Sequence, residues 1–264
     1  MMLFNLQEKA KETRRRIIKS LFNAQSGHAG PSLSVVEILI TLLFEEMDLE
    51  GNDRDRFILS KGHGVPAWYA ALSLAGYLPE EKLSTLRQIG SPLQGHPVRG
   101  TLPLIDASTG SLGQGFSVGI GYALAMRLKH HNRRVYVVVG DGESQEGQIW
   151  EAAMAAAKFK LSNILVIIDF NKIQNEAFVD EQMPLEPFGE KWASFGWQVQ
   201  ELDGHDMGQL LRAYEQARRS SGPTVIIAHT IKGKGVSFME GSVDWHSCAL
   251  GEQEYKMAIK ELSE

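Results

Sequence analysis

The sequence predicts an α/β protein, a three-layer αβα arrangement around a mainly parallel sheet. Three observations lead there. Val135-Tyr136-Val137-Val138-Val139 and Ile164-Leu165-Val166-Ile167-Ile168 are continuous apolar runs rich in β-branched residues, the pattern of strands buried on both faces. A helical segment at 147–159 lies between them. Weaker strands at 197–202 and 224–229, separated by a helix at about 206–219, continue the strand–helix–strand alternation that builds parallel sheets. With 264 residues, 43% of them hydrophobic, the chain is long enough to bury a core without disulfides or metal staples. No repeat or low-complexity linker divides it. We read residues 1–264 as one domain, with a helical N-terminal segment of about 1–50 packed onto it.

In chain order, residues 5–24 carry Leu6, Ile17, Ile18, Leu21 and Phe22 on one helical stripe. Gly27-His28-Ala29-Gly30-Pro31 stops that helix. Ser32 or Ser34 then caps a second helix to about Met47, with Glu37 three residues after Ser34 as a capping-box signal. A short approach strand from Asp53 to Ser60, with Arg56-Phe57-Ile58-Leu59-Ser60 at its end, runs into Lys61-Gly62-His63-Gly64, and a helix follows at about 65–76. Residues 88–112 are aperiodic and rich in Gly, Pro and Ser, as functional loops are. An apolar, small-residue helix is expected from Gly113 to about His130.

Composition removes several classes of function. The net charge is −5, so no polybasic nucleic-acid surface is expected. No apolar run approaches a membrane span of about 20 residues. The first sixteen residues are charged and amphipathic, with no leader-like apolar region. One cysteine, Cys248, forbids an intrachain disulfide and points to the reducing cytoplasm.

In open parallel sheets, ligands bind beyond the carboxyl ends of the strands. There the sequence places Gly140-Asp141-Gly142-Glu143 and Asp169-Phe170-Asn171-Lys172. Asp and Asn oxygens with a backbone carbonyl are hard ligands suited to Mg²⁺ or Ca²⁺, and glycines let a phosphate approach the backbone. Taken singly, Gly-Asp-Gly after a strand is a plain turn and an Asn there is a helix cap. Gly110-Ser111-Leu112-Gly113-Gln114-Gly115 opens a helix. Its amides suit an anion, and Gly115 with Gly119 equally suits close helix packing. No phosphate-binding loop of the Gly-x-x-x-x-Gly-Lys type is present.

Of eight histidines, His130, His131 and His205 read as surface residues, and His229 is ambiguous. His28, His63, His96 and His246 sit in Gly-, Pro- or Trp-flanked loops. Their spacing fits no zinc motif, and there is no Gly-x-Ser-x-Gly elbow. A cluster of neutral imidazoles suits a polyhydroxylated substrate.

Gly-Asp-Gly followed about thirty residues later by Asn resembles the signature of thiamine-diphosphate enzymes. More specifically, the chain resembles transketolases in their N-terminal, diphosphate-binding part. The matching stretches run in order over nearly the whole chain: Ser26-Gly27-His28, the segment from Asp55 to His63, Gly95-His96-Pro97, Thr109 to Gly115, Gly140-Asp141-Gly142-Glu143 through Gly147, Asp169 to Gln174, and Thr230-Ile231-Lys232-Gly233-Lys234-Gly235. The resemblance implies the thiamine-diphosphate-binding fold, thiamine diphosphate as cofactor, and Mg²⁺ or Ca²⁺ held by Asp141, Asn171 and the carbonyl of Ile173. It implies cofactor contacts at Gly142, Asn171 and residues 110–112 (Gly110, Ser111, Leu112), with His63 and Lys232 near the diphosphate and thiazolium. His28, His96 and His246 would line the substrate channel and assist proton transfer. Glu146 matches an acid at the subunit interface.

Two departures are local. Asn175-Glu176-Ala177 stands where relatives often have a turn glycine, and Val98-Arg99 where they often have Pro-Glu, which puts a positive charge near the channel mouth. A third is length. Transketolases continue into a pyrimidine-binding domain, whose glutamate activates the cofactor, and a C-terminal domain. The expectation is therefore the N-terminal subunit of a split transketolase acting on sugar phosphates, completed by a C-terminal subunit in an α2β2 assembly. A 2-oxo-acid dehydrogenase E1 α-type subunit would share the Gly-Asp-Gly…Asn pair, but the Lys-Gly-His and Gly-His-Pro loops speak against it. A non-catalytic subunit would be expected to have lost metal ligands or histidines, and none is missing.

Overall fold

The computed structural model describes residues 2–51, 53–175 and 177–263. Five parallel strands form the main sheet in the order β1-β2-β3-β7-β6: β1 (Arg56–Leu59), β2 (Val135–Gly140), β3 (Ile164–Phe170), β6 (Gln198–Asp203) and β7 (Thr224–His229). The two apolar runs are the neighbours β2 and β3, with Val135 opposite Ile164 and Gly140 opposite Asp169. Every residue of both strands is buried.

Strand alternation divides the core into two faces. Phe57, Leu59, Tyr136, Val138, Leu165 and Ile167 meet one cluster, which includes residues of α1 (Met2–Ala24), α2 (Ala29–Ser34), α3 (Val36–Thr41), α4 (Val65–Leu74), α9 (Met207–Arg218) and α10 (Glu252–Glu261). Ile58, Val135, Val137, Ile164, Val166 and Ile168 meet the other, under α5 (Gln114–Leu128), α6 (Gly147–Lys158) and α8 (Phe188–Ser194). Helix α5 lies close to the sheet because two of its three glycines, Gly115 and Gly119, stand where a Cβ would meet the Ser60 segment and β2. A Cβ at Gly115 would stand 2.8 Å from the Ser60 Cα, and one at Gly119 2.7 Å from Val137 Cγ2. No helix among the described residues is long and apolar enough to cross a membrane.

The second helix departs from expectation. It begins at Ala29, is interrupted at Val35 (φ −91°, ψ 0°) and continues as α3 and a π-helical turn, Leu42–Glu46. Ser32 and Ser34 do not cap it. The Ser32 hydroxyl donates to the His28 carbonyl and that of Ser34 to Asp169. Glu37 forms no capping box, because Arg14 and His205 hold its carboxylate. Five further elements form that periodicity did not assign: the two-residue strands β4 (Ile173–Gln174) and β5 (Ala177–Phe178), the short helices α7 (Val179–Gln182) and α8, and α10. The turn between β4 and β5 manages without glycine, since Asn175 takes φ +40°, a conformation asparagine tolerates better than most residues. Glu176 lies outside the described residues.

Candidate active site at the carboxyl edge of the sheet

Strands β1, β2, β3 and β7 end side by side, so the segments after them share one edge. At its centre is a buried ion pair that the sequence reading did not single out. Lys61 Nζ donates to Asp169 Oδ2, and the two side chains are 1% and 0% exposed. Ser34 Oγ donates to the same carboxylate (2.6 Å), as does Thr230 Oγ1, and Lys61 also donates to the Pro31 carbonyl (3.0 Å). Burial pushes the Asp169 pKa up. The Lys61 charge and these hydrogen bonds outweigh it and hold the carboxyl below its usual range. A signal was available: Asp169 is a lone acid in an otherwise apolar strand, and a buried charge needs a partner.

Asp141 follows β2. Its carboxylate accepts the Gly142 amide (2.7 Å) and the Lys172 amide (2.5 Å), which ties the ends of β2 and β3 together. Burial and the neighbouring Asp169 carboxylate push its pKa up to about 7. The Asn171 side chain donates to Asp169 (3.4 Å) and accepts the Ile173 amide (3.2 Å), which orients its oxygen. Gln174 Oε1, beside Gly142, is buried with no hydrogen-bond partner. An all-oxygen set of Asp141, Asn171 and the Ile173 carbonyl is the kind Mg²⁺ or Ca²⁺ takes. A cation there would relieve the crowding of two carboxylates, so these residues fit the metal that the resemblance implies. The described residues contain no cluster of three or more His, Cys, Asp or Glu arranged to hold a metal.

Glu143 is the other buried acid here, and sequence reasoning gave it no role. It accepts Ser60 Oγ (2.5 Å), the Gly113 amide (2.9 Å) and the Gly140 amide (3.1 Å). One carboxylate thus joins the Lys61 segment, the 110–113 turn and the end of β2. In that turn Gly110 has φ +141°, and a Cβ there would stand 3.0 Å from the His96 ring.

These groups surround a cavity of about 310 Å³, within the usual range for small-ligand sites. Its wall includes His28, His63, His96 and His246, with Gly110, Leu112, Asp141, Gly142, Glu146, Asn171 and Ile173. Of the expected site residues, two stand outside that wall. Ser111 is exposed. Lys232 is buried behind the wall, and its Nζ is 3.0 Å from His246 Nδ1. A wider cleft bordered by His28, Asn175, Asp244, His246 and Ser247 adjoins the cavity. Arg99 is exposed and does not line the cavity. The arginine whose positive charge reaches His28 and His96 is Arg87, which no sequence pattern marked.

The four histidines form a real cluster. Ring centroids are 5.2 Å apart for His28 and His63, 5.3 Å for His28 and His246, 5.3 Å for His63 and His246, and 6.4 Å for His28 and His96. Burial, then the charges of His96 and Arg87, lowers His28 to about 4. Burial, then Lys232, lowers His246 to about 3. His63 and His96 are lowered for the same kind of reason, with Lys61 and Arg87 as the nearby cations. All four are neutral at pH 7, so each offers one donor and one acceptor. Lys232 is lowered to about 8, by burial and then by Lys61. The other histidines sit apart. His205 is not the surface residue expected: its ring is 13% exposed and bonded to Glu37. His131 is exposed but pairs with Asp53 at 2.6 Å.

Comparison with known proteins agrees with this geometry. Residues 6–263 match the family "Transketolase, thiamine diphosphate binding domain". A 6-deoxy-6-sulfo-D-fructose transketolase subunit of Clostridium sp. (strain MSTE9) is 45% identical, over 98% of this chain and 96% of the relative. An apulose-4-phosphate transketolase subunit of Actinobacillus succinogenes is 40% identical, over 98% and 96%. Among solved structures, Campylobacter jejuni transketolase superposes with a TM-score of 0.92 at 34% identity, covering 98% of this chain but 42% of that one. The chain therefore spans under half the length of that solved transketolase and nearly all of the two subunit relatives. A five-stranded parallel sheet, a cavity at its carboxyl edge and this sequence match agree that the chain belongs to the transketolase family, in its thiamine-diphosphate-binding domain.

Proposed function

We propose that this chain is the N-terminal subunit of a two-chain transketolase, one that moves a two-carbon ketol unit from a ketose to an aldose. The observation that carries the reading is the meeting of Asp141, Asn171 and four neutral histidines on one cavity. Asp141, Asn171 and the Ile173 carbonyl hold Mg²⁺ or Ca²⁺, which neutralises a diphosphate. Gly110, Leu112, Gly142 and His63 cradle the cofactor from the cavity wall, Ser111 and Lys232 support that wall from outside it, and Glu146 faces the assembly. The partner is a C-terminal subunit with the pyrimidine-binding domain, in an α2β2 complex in the cytoplasm. Two relatives named as subunits support a partner chain. Their named sugars carry a sulfonate or a phosphate, which supports a ketose with an anionic end as donor.

Thiamine diphosphate, when bound, supplies the nucleophilic carbon and the electron sink. This chain's residues bind and move protons. In the donor ketose the C2–C3 bond breaks, the C3 hydroxyl loses its proton, and an aldose two carbons shorter leaves. A new bond then forms to the acceptor aldehyde carbon, and its oxygen gains a proton. His28, His96 and His246 are neutral, close together and part of the cavity wall, so they bind the hydroxyls and relay both protons. The buried Lys232 donates to His246 Nδ1, which leaves the ring proton on Nε2, free to serve a substrate oxygen.

The test is ketol transfer from a ketose phosphate to an aldose phosphate by the purified chain, with and without the pyrimidine-domain subunit. Activity that requires both chains, thiamine diphosphate and Mg²⁺ is expected. Transfer by this chain alone would overturn the split-enzyme reading. Carbon-dioxide release from a 2-oxo acid, without ketol transfer, would overturn the reaction class.

A further inference from the structure

Lys232 reaches His246 from a loop of residues 231–235, and that loop is pinned from outside the cavity. His205, in the turn between β6 and α9, points Nε2 at the Ile231 amide (2.9 Å). An amide can only donate, so Nε2 is the acceptor and Nδ1 carries the proton. Nδ1 then donates to Glu37 Oε2 (2.9 Å). The Glu37 carboxylate also takes Arg14 on both oxygens, at 2.7 Å each. Arg14 in turn donates from Nε to the Lys234 carbonyl (2.8 Å). Both flanks of Lys232 are thus gripped, one by His205 and one by Arg14, and Glu37 joins the two grips. Burial raises the Glu37 pKa, but Arg14 and His205 outweigh it and hold the carboxyl down at about 2. The side wall is equally tight: a Cβ on Gly30 would stand 2.9 Å from Lys232 Cγ.

We propose that His205, Glu37 and Arg14 act as a clamp whose task is to position Lys232 against His246. His205 does not line the cavity of the four histidines, so it is a positioning residue. The inference rests on the proposed role of Lys232 and His246 in the site. It predicts an order among conservative variants that space-filling alone would not produce. His205→Gln keeps an acceptor where Nε2 meets Ile231. His205→Asn keeps only a donor near Glu37.

The experiment uses the chain assembled with its partner subunit and reads the hydrogen-exchange rate of the Ile231 amide, kcat and KM. In His205→Asn, Ile231 exchange is expected to quicken about tenfold, the size of one lost hydrogen bond. Its kcat should fall by about tenfold, as small misplacements near a site do, with KM for the donor sugar little changed. His205→Gln should restore most of both. Arg14→Lys, which keeps a charge at Glu37 but loses the Nε bond to the Lys234 carbonyl, should lower kcat in the same way, and it decides the matter if His205→Asn fails to fold. Wild-type kcat and Ile231 exchange in folded His205→Asn, or equal losses in the Gln and Asn variants, would overturn the clamp. If the wild-type assembly transfers no ketol unit, the proposed function fails, and the exchange order of the two variants still decides the clamp by itself.

Discussion

Replacing Glu143 removes a side chain that joins three segments bordering the cavity. In Glu143→Gln the amide oxygen can still accept Ser60 Oγ and the Gly113 amide, the two donors now on Oε1. Its NH₂ then faces the Gly140 amide, a donor that now uses Oε2. One buried donor loses its acceptor, which costs about 1–3 kcal/mol. Removing a carboxylate whose pKa burial has raised returns part of that, leaving a net loss of about 1–2 kcal/mol. At about 2–4 °C per kcal/mol for a chain of this size, Tm should fall by about 2–8 °C. Glu143→Ala orphans all three donors and should fall further. Because the 110–113 turn and the Gly140 turn both border the cavity, thiamine diphosphate with Mg²⁺ should bind at least about tenfold more weakly. Calorimetric melting and isothermal titration of the variants, assembled with the partner subunit, give both numbers. Variants that melt within about 1 °C of wild type and bind the cofactor equally well would refute the idea that this carboxylate organises the site.

Three further outcomes follow from other parts of the fold. Asp141→Ala should abolish Mg²⁺-dependent binding of thiamine diphosphate in the assembled protein, because a buried diphosphate needs a divalent ion; unchanged affinity by titration would remove Asp141 from the ligand set. His28 and His246 are held neutral, with pKa lowered to about 4 and about 3. Their contribution to stability is complete above the unfolded value of about 6.5 and is lost as pH falls through those folded values. Urea unfolding of the chain should therefore weaken between pH 7 and pH 4, and His28→Asn with His246→Asn should flatten that slope; an unaltered slope would contradict it. Gly115→Ala places a Cβ against the Ser60 backbone and should cost about 1–3 kcal/mol. Gly121→Ala on the same helix meets nothing within 4 Å and should be neutral or stabilising by up to about 1 kcal/mol; equal melting temperatures would count against the close packing of α5.

What the sequence makes legible is what its local pattern encodes. Strands β2 and β3 stand out because a strand buried on both faces must be apolar throughout. Asp141 and Asn171 stand out because they follow those strands. The four cavity histidines stand out because glycine, proline or tryptophan flanks each. Lys61 and Asp169 are 108 residues apart; the apolar strand around Asp169 says that its charge needs a partner, but nothing nearby says that the partner is Lys61. Ser34 and Glu37 show how a local signal loses to a distant partner: their spacing suits a capping box, but Asp169, Arg14 and His205 offer buried groups that need them more. His205 reads as a turn residue because it is one, and only tertiary contact shows that its ring turns inward. Helix α10 was available to pattern reading, through Tyr255, Ala258, Ile259 and Leu262 on one stripe and a Glu254 carboxylate returning to the Gly251 amide. Its shortness and its polar flanks leave that stripe weak. The short strands β4 and β5 carry no periodicity at two residues each.

The most direct test of the account is a crystal structure of the chain assembled with its pyrimidine-domain subunit, grown with thiamine diphosphate and Mn²⁺ in place of Mg²⁺, with the metal located by its anomalous signal. The account predicts one metal peak per copy of this chain, bonded to Asp141, Asn171 and the Ile173 carbonyl, with the diphosphate beside Gly142 and the 110–112 turn. A metal peak away from those three residues, or a cofactor whose diphosphate lies outside this cavity, would contradict it.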